Sequence, residues 1–495
     1  RKMSSVKKEL VSGVMYTGAA KYAGIVVALG VTAVLARMLP PEDFGPIAVA
    51  TVIITFFNVF SDWGIGPAVI QNKQLTKQDL GGIFSFTMWA GIAVAGIFFC
   101  SSWFIAGFYE TEVLRPICQL LSLNLLFASL NIVPNALLFK EKRFRFIAVR
   151  NLCVQGIAGI AAITAAFSGA GIYALTINPI VSSAAMLVIN MRENPIVPKP
   201  IPSRGAISKI FSFSAYQFAF NFINFFSRNA DKLLIGKYMM PLLGYYEKSY
   251  RLMMLPLQNI TNVVSPVMHP IFSEYQHDLA KLSSSYLKVV RFLAFIGFPL
   301  SVFLWFSAHE VVLTVFGGQW EPSVPVFRIL TTTVGVQVVL STSGSVFQAA
   351  GQTKMLFISG LLSAVLNVGA ICAGIFAYGS LEAVAWGISM SFAVNFVQCY
   401  YLMFYRTFHL PWGPFWRALV SPLTLSAILC AALFSLSYVM PESAGIILSL
   451  IVKSCAALAV WCAYVQIFGI YDIKGKALAM ISRVRGKLRS RNSGN

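Results

Sequence analysis

The sequence is dominated by apolar runs of about twenty residues, separated by short segments that carry proline, glycine and charge. Each run is long enough to cross a bilayer as a helix, and a soluble core cannot enclose so many of them. Hydrophobic residues make up 57% of the chain, and charged residues only 11%. The pattern therefore predicts an all-α polytopic membrane protein and excludes a soluble enzyme, a secreted disulfide-linked domain and a peripheral anchor.

We expect about fourteen membrane helices, with both termini in the cytoplasm. The predicted spans are 9–37, 43–61, 76–105, 113–139, 144–167, 171–191, 206–237, 241–268, 284–307, 322–349, 353–377, 379–404, 414–439 and 443–469. Lysine and arginine concentrate in alternate loops, whereas the opposite loops hold acidic residues such as Glu42, Glu110 and Glu310. Because retained cytoplasmic loops are basic, the alternation sets the orientation. The first helix has Lys21 in its interior and no small-residue cleavage site, so we expect it to be retained.

A repeat divides the chain into two lobes. The first helix ends in VLARMLPPEDFG and the seventh in LLIGKYMMPLLG, each with a basic residue, a proline and then a glycine. Six helices separate the copies, which predicts a parallel repeat: two pseudo-symmetric six-helix lobes around a central cavity. The expected parts are an N-terminal lobe (1–191), a proline-rich cytoplasmic linker (192–205), a C-terminal lobe (206–405), a C-terminal helix pair (406–470) and a basic tail (471–495) that binds anionic lipid.

Several charged residues lie within predicted spans instead of loops. Burying a charge at the bilayer centre costs at least about 2.5 kcal/mol, so such residues usually face a partner or a water-filled cavity. Arg228 and Arg251 are expected on adjacent helices at one level, about 14 Å below the outer boundary. The candidate substrate-binding bases are Lys21, Arg228, Lys232, Lys248 and Arg251, and the nearby acids are Asp231 and Glu247.

Two interpretations of these charges remain open. In one, Asp231 with Lys232 or Arg228, and Glu247 with Arg251, form structural ion pairs between helices. In the other, the excess of bases over acids forms a cationic pocket for an anionic ligand such as a pyrophosphate or an acidic sugar, which arginine would bind in a bidentate manner. Lys453 is isolated in an apolar helix, where snorkelling and a lipid-facing groove are equally open.

Two interpretations are open for each of the remaining acidic and tyrosine candidates. Asp62, in SDWGIG, either caps a helix break or binds a coupling cation, and Asp231 and Glu247 are further candidates for coupling or ion pairing. Tyr245, Tyr246 and Tyr250 either stack on sugar rings or anchor a helix end at the membrane boundary.

The chain lacks the motifs of the other functional classes. It has no Walker A loop, its four histidines are scattered, and no HExxH, GxSxG or paired carboxylate is present. We therefore expect no catalytic residue, no metal and no cofactor. The formal charge of +20 lies in loops and within spans, without a soluble segment long enough for a nucleic-acid domain. Nucleic acid is not an expected partner.

Three strings resemble a known family: LARMLPPEDFGPIAVATVIITFFNVFSDWGIGPAVIQ at 35–71, NADKLLIGKYMMPLLGYYEKSYRLMMLPLQ at 229–258 and VFGGQWEPSVPVFRIL at 315–330. They are similar to bacterial Wzx-type polysaccharide flippases of the multidrug/oligosaccharidyl-lipid/polysaccharide superfamily. The resemblance covers nearly the whole chain. It implies two six-helix lobes with a cationic lumen, and export of an undecaprenyl-pyrophosphate-linked oligosaccharide across the bacterial inner membrane by alternating access. We also expect membrane lipids, a polysaccharide polymerase and chain-length machinery as partners, and a functional monomer.

Three alternatives compete with this interpretation. A cation-coupled multidrug antiporter of the same fold would favour an acidic lumen, whereas the predicted lumen is basic. A lipid II flippase of the same superfamily could share a cationic cavity, and only the family-like strings argue against it. An intramembrane polymerase or acyltransferase would carry a long outer loop or a His/Asp site, and the sequence shows neither.

Overall fold

The structure, a computed structural model, describes residues 2–62, 65–72, 75–198, 225, 229–273, 275, 278–440 and 445–468. Within these ranges the chain is helical and has no β-strand. The all-α prediction is confirmed for this part of the chain.

The helices follow one another along the chain with short connections. They are α1 (Lys2–Met38), α2 (Phe44–Asp62), α3 (Ile65–Gln71), α4 (Lys77–Tyr109), α5 (Leu114–Lys140), α6 (Phe144–Phe167), α7 (Ala174–Glu193), α8 (229–238), α9 (Met240–Ser273), α10 (Leu279–Phe306), α11 (Ala308–Phe316), α12 (Ser323–Thr331), α13 (Val334–Leu340), α14 (Ser343–Ala349), α15 (Thr353–Ala373), α16 (Leu381–Tyr401), α17 (Gly413–Val439) and α18 (Ile446–Ile467). Short 3₁₀ turns cover Pro41–Asp43, Gly171–Tyr173 and Gly318–Trp320, and π-helical turns extend α15 and α16 over Gly374–Tyr378 and Leu402–Phe408.

Ten helices in the described part are long and apolar enough to cross a membrane, or eleven if one bent pair counts as a single span. The helices α2 and α9 match the predicted spans 43–61 and 241–268 but are not among those ten. Most of the predicted span 206–237 lies outside the described residues. The chain is thus a multi-pass membrane protein, and the count of fourteen stays a prediction.

The predicted span 322–349 is not one continuous helix: it consists of α12, α13 and α14, with a bend of 46° after α12. At the bend, the hydroxyls of Thr331 and Thr332 donate to the carbonyls of Arg328 and Ile329, each at 2.7 Å. Threonine hydroxyls that bond their own backbone carbonyls compete with the helical pattern. The uninterrupted apolar run concealed this competition.

The start of α4 is set by a local signal. The hydroxyl of Thr76 accepts from the backbone N–H of Asp79 at 3.1 Å, and the Asp79 carboxylate accepts from the N–H of Thr76 at 3.1 Å. This reciprocal capping box satisfies two backbone donors at the helix start. The helix is capped at its C-terminus by Glu110, which adopts a left-handed conformation with φ of 55°.

The described chain divides into two compact units. The first comprises Arg1–Ser249, Val315–Ser323 and Ile371–Val384. In it, α1 packs on α6, α4 on α5, and α7 on both α5 and α6. The second comprises Tyr250–Thr314, Val324–Ala370 and Ala385–Asn495, where α10 packs against α13, α17 and α18.

Candidate functional site

In the first unit, α8 and α9 bring four of the predicted polar residues into contact. Asp231 is buried at 6% exposure, and its Oδ2 accepts a hydrogen bond from the hydroxyl of Tyr246 at 2.7 Å. The next residue, Lys232, lies with its Nζ 3.6 Å from Oε1 of Glu247. Both side chains of that pair are 21% exposed. A hydrogen bond from Tyr246 to Asp231 and an ion pair between Lys232 and Glu247 thus join α8 to α9.

The pairing differs from the one expected under the ion-pair interpretation. Glu247 contacts Lys232 of α8, whereas the spacing on one helix suggested Arg251 as its partner. Asp231 accepts from a tyrosine, and its second oxygen, Oδ1, is buried without a hydrogen-bond partner among the described residues. A carboxylate with one unsatisfied oxygen is costly to bury, so Asp231 is the least satisfied acid of this group.

Lys248 is surrounded by aromatic rings. Its Nζ lies 4.1 Å from the ring centroid of Phe44, 5.7 Å from that of Phe316 and 5.9 Å from that of Trp320. The residue is 4% exposed. Aromatic faces stabilise an ammonium group, and stabilisation is greater where water is excluded. In this conformation an anion could reach Lys248 only if the rings separated.

Lys21 and Arg251 differ from the other candidates because both are exposed. Lys21 lies in α1 of the first unit, and Arg251 in the part of α9 that belongs to the second. Neither forms an ion pair with a residue that the structure describes. An exposed charge within a membrane helix favours a water-filled cavity over lipid. Such a cavity is the environment that an anionic ligand needs.

Two further predicted residues fall at the edge of what the structure describes. Arg228 lies outside the described residues. Asp62 is the last residue of α2, and the structure describes its backbone but not its side chain. Their roles stay predictions.

The three tyrosine candidates occupy different environments. Tyr246 is fully buried and bonded to Asp231, so neither face of its ring is open to a sugar in this conformation. Tyr245 is partly buried and packs edge-on to Trp320, with ring centroids 5.8 Å apart. Tyr250 is also partly buried. The role of Tyr245 and Tyr250 in stacking on a glycan stays a prediction.

The buried partners of two cations, Lys453 and Arg150, were not predicted from the sequence. The sequence left two environments open for Lys453, snorkelling and a lipid-facing groove. In the structure Lys453 is 7% exposed and donates to Oε1 of Glu310 at 2.5 Å. Arg150, which lies within the predicted span 144–167, is 6% exposed in α6. Its guanidinium donates to the side-chain oxygens of Asn135, Asn151 and Asn190. No sequence signal pairs residues so far apart, although asparagines within apolar runs mark where such a network can form.

No group of three or more histidine, cysteine or acidic residues in the described part of the chain is arranged to hold a metal ion.

The chain belongs to the polysaccharide biosynthesis protein family, which it matches over residues 34–325. It is 26% identical to the teichuronic acid biosynthesis protein TuaB of Bacillus subtilis, with 88% of this chain and 90% of TuaB covered. It is 24% identical to the lipopolysaccharide biosynthesis protein WzxC of Escherichia coli, covering 84% of this chain and 86% of WzxC. It is 25% identical to the succinoglycan biosynthesis transport protein ExoT of Rhizobium meliloti, covering 71% and 72%.

Solved structures of the same fold include two kinds of transporter. The lipid II flippase MurJ, in an inward closed conformation, matches with a TM-score of 0.73 at 15% identity, covering 92% of this chain and 98% of MurJ. An inward-facing multidrug transporter of the same superfamily matches with a TM-score of 0.58 at 14% identity, covering 85% and 96%. With the family match, these relatives confirm the predicted resemblance to the polysaccharide flippases of the multidrug/oligosaccharidyl-lipid/polysaccharide superfamily.

Proposed function

We propose that this protein flips an undecaprenyl-pyrophosphate-linked oligosaccharide from the cytoplasmic to the periplasmic leaflet of the bacterial inner membrane, by alternating access. Its family and its relatives, whose names refer to teichuronic acid, succinoglycan and lipopolysaccharide, support a polysaccharide precursor as the cargo. In this proposal residues 1–191 and 206–405 are the two lobes, 192–205 links them, and 406–470 is an added helix pair.

The observation that carries the proposal is that each unit holds an exposed cation within a helix, Lys21 in the first and Arg251 in the second. Each lies within a helix of a multi-pass protein and has no acidic partner among the described residues. Cations held in a water-filled cavity attract a pyrophosphate, and arginine can bind a phosphate through two parallel hydrogen bonds.

The chemistry assigns different parts of the cargo to different surroundings. The predicted pyrophosphate ligands are Lys21, Arg228, Lys248 and Arg251, while the polyprenyl tail stays in lipid. Lys248 joins them only in a state in which Phe44 and Trp320 have moved away from it. The Lys232–Glu247 pair leaves Lys232 partly neutralised, so it is the weakest of the five candidates. Anionic lipid is the proposed ligand of the basic tail, residues 471–495.

The cargo is tested in the native host. After deletion of the gene, the lipid-linked oligosaccharide should accumulate on the cytoplasmic side and surface polysaccharide should disappear, and the mass of the glycan would identify the cargo. Accumulation of lipid II would instead support the lipid II flippase alternative. Normal polysaccharide with raised sensitivity to cationic dyes would support the drug antiporter.

The site is tested by complementing the deletion with variants of equal membrane abundance. Arg251→Ala and Lys21→Ala should each lower export strongly, because each removes a charge that the pyrophosphate needs. The matched controls are Arg417→Ala and Lys354→Ala, which remove exposed bases on the predicted cytoplasmic side. Full export by both site variants would overturn the assignment.

A further inference from the structure

The three strings that resemble the flippase family meet in the first unit. The end of α1 and the turn after it, the start of α9, and the segment between α11 and α12 all contact one another there. These segments are predicted to lie on the outer side of the membrane. The contacts between them join residues that are about 70 to 280 positions apart in the sequence.

The most specific of these contacts joins the last turn of α1 to Gln319 and Trp320. The indole Nε1 of Trp320 donates to the carbonyl of Ala36 at 2.7 Å. The amide of Gln319 donates to the carbonyls of Ala36 and Leu39, the latter at 3.1 Å. The last four carbonyls of a helix have no partner within that helix, so they are free to accept such bonds. We call Ala36, Leu39, Gln319 and Trp320 the outer latch.

Packing around the latch is close and aromatic. Trp320 is fully buried and lies edge-on to Phe44, with ring centroids 5.2 Å apart. The same two rings enclose the ammonium group of Lys248. The latch therefore connects the turn after α1 to the cationic candidate on α9.

The two copies of the repeat also touch each other reciprocally. A Cβ added at Gly45 would lie 2.6 Å from the carbonyl oxygen of Met240, and one added at Gly244 would lie 2.3 Å from that of Pro41. Gly45 corresponds to Gly244 in the repeat, and Pro41 corresponds to Met240, so each contact is the image of the other. A two-fold axis between the copies produces this pattern.

An ion pair lies beside this contact. Lys237, near the end of α8, lies 2.8 Å from Oε1 of Glu110 and donates to the carbonyl of Phe108 at 2.5 Å. Glu110 is the residue that caps the C-terminus of α4. A second pair of helices is thereby joined on the predicted outer side.

We infer that this contact set is the outer gate of the transporter, and that Gln319 and Trp320 hold the gate shut by bonding the carbonyls of Ala36, in the last turn of α1, and of Leu39, just after that helix. The inference rests on the proposed function, because a gate matters only if cargo must leave on that side. The latch bonds suit a contact that is broken in every cycle. When they separate, water can satisfy the exposed carbonyls, and α1 keeps its internal hydrogen bonds.

A disulfide lock tests whether the gate must open. A Cβ at Gly236 of α8 would lie 2.6 Å from Cγ2 of Val49 in α2, so cysteines at both positions fall within reach of a disulfide. The matched control joins α1 to α6 through Val31 and Gly159, where the added Cβ lies 3.4 Å from the Cβ of Val31. Each double variant replaces one valine and one glycine with cysteine. The eight native cysteines are free. Variants that carry only one of the two introduced cysteines show whether a native cysteine contributes to the cross-link.

Oxidation should abolish export by V49C/G236C, and a reductant should restore it. The V31C/G159C control should keep its export when oxidised, because α1 and α6 belong to the same predicted lobe. Undiminished export by a fully cross-linked V49C/G236C would overturn the gate. Loss of export in both double variants on oxidation would also overturn it, because the loss would then not depend on where the helices are joined.

A second measurement does not depend on the cargo. A Val49→Ala/Gly236→Cys variant, which removes the valine methyl that the added Cβ would meet at 2.6 Å, is labelled in membranes with an impermeant maleimide added from the outer side, and the modified peptide is quantified by mass spectrometry. Adding Trp320→Phe or Gln319→Ala should speed labelling about fivefold for each hydrogen bond lost. Gln398→Ala, which removes a side-chain donor of α16 in the second unit, should leave the rate unchanged. Unchanged labelling in both latch variants would exclude the latch even if polysaccharide export were confirmed, and faster labelling would support it even if the cargo proved different.

Discussion

Lys453 of α18 donates a hydrogen bond to Oε1 of Glu310 in α11 at 2.5 Å, and both side chains are 9% exposed. The same lysine donates to the carbonyl of Phe306 at 2.8 Å, and Ser449 donates to Oε1 of Glu310 at 2.7 Å. Three side chains thereby join the last helix to the end of α10 and the start of α11. The ion pair and these hydrogen bonds therefore help to hold α18 against α10 and α11.

Replacing one member of this ion pair should destabilise the protein more than replacing both members. Lys453→Met leaves a buried carboxylate without its cation, which costs about 3–5 kcal/mol. The double variant Glu310→Gln with Lys453→Met should recover much of that loss, because neither charge remains buried. Thermal unfolding in detergent measures both, with Lys354→Met, an exposed lysine, as the control. A double variant as unstable as the worse single variant would contradict this account.

The buried guanidinium of Arg150 supports a second prediction. It bridges Asn135, Asn151 and Asn190, and Asn190 in turn donates to Asn131 at 2.6 Å. These residues lie on α5, α6 and α7, which pack together in the first unit.

Arg150→Lys should lower the unfolding temperature, because an ammonium group cannot reach all three amides at once. Hydrogen bonds to charged groups contribute about 1.5–3 kcal/mol each, so the loss should be well resolved in a melting curve. Arg192→Lys is the matched control, since Arg192 is exposed at the end of α7. Equal melting temperatures for the two variants would show that the network adds no stability.

The helices were predictable because apolar run length and loop charge report directly on membrane spans. The predicted spans 144–167 and 414–439 agree with α6 and α17 to within one residue at each end. The bend at Thr331 and Thr332 was not predictable, because hydroxyl groups that bond the backbone leave the hydropathy of the run unchanged.

Less of the candidate site could be predicted than of the fold. The sequence places Lys232 and Glu247 near the turn between two helices, and the structure pairs them. Spacing along one helix cannot show that Lys248 lies against Phe316 and Trp320, which follow it by about 70 residues, since that contact depends on tertiary packing. The pairing of Lys453 with Glu310 was hidden for the same reason.

The Lys237–Glu110 pair predicts a pH dependence of stability. The hydrogen bond and the charge of Lys237 lower the pKa of the Glu110 carboxyl from its ordinary value of 4.5. A lowered pKa in the folded state means that the pair stabilises the fold above pH 4.5 and that this contribution is lost as the pH falls through the lowered value. The effect should be small, because the Glu110 side chain is 81% exposed.

The measurement compares wild type with Glu110→Gln across pH. The difference in unfolding temperature should favour wild type at neutral pH and shrink towards zero in acid. Glu112→Gln, which removes an exposed acid of the same loop, should show no such convergence. A difference between wild type and Glu110→Gln that grows as the pH falls would have the wrong sign for this pair.

Close packing of α1 on α6 gives the last prediction. A Cβ added at Gly159 would lie 2.3 Å from Cγ2 of Val31, whereas one added at Gly156, one turn earlier in α6, would meet no atom within 4 Å. Gly159→Ala should therefore destabilise the protein by about 1–3 kcal/mol through overpacking. Gly156→Ala should leave stability unchanged or raise it, because alanine favours the helix and nothing opposes it. Val31→Ala should rescue Gly159→Ala by removing the clashing methyl groups, and the four melting curves distinguish this contact from a general effect of glycine replacement. If Gly156→Ala and Gly159→Ala lowered the melting temperature equally, the close approach of the two helices would not be the cause.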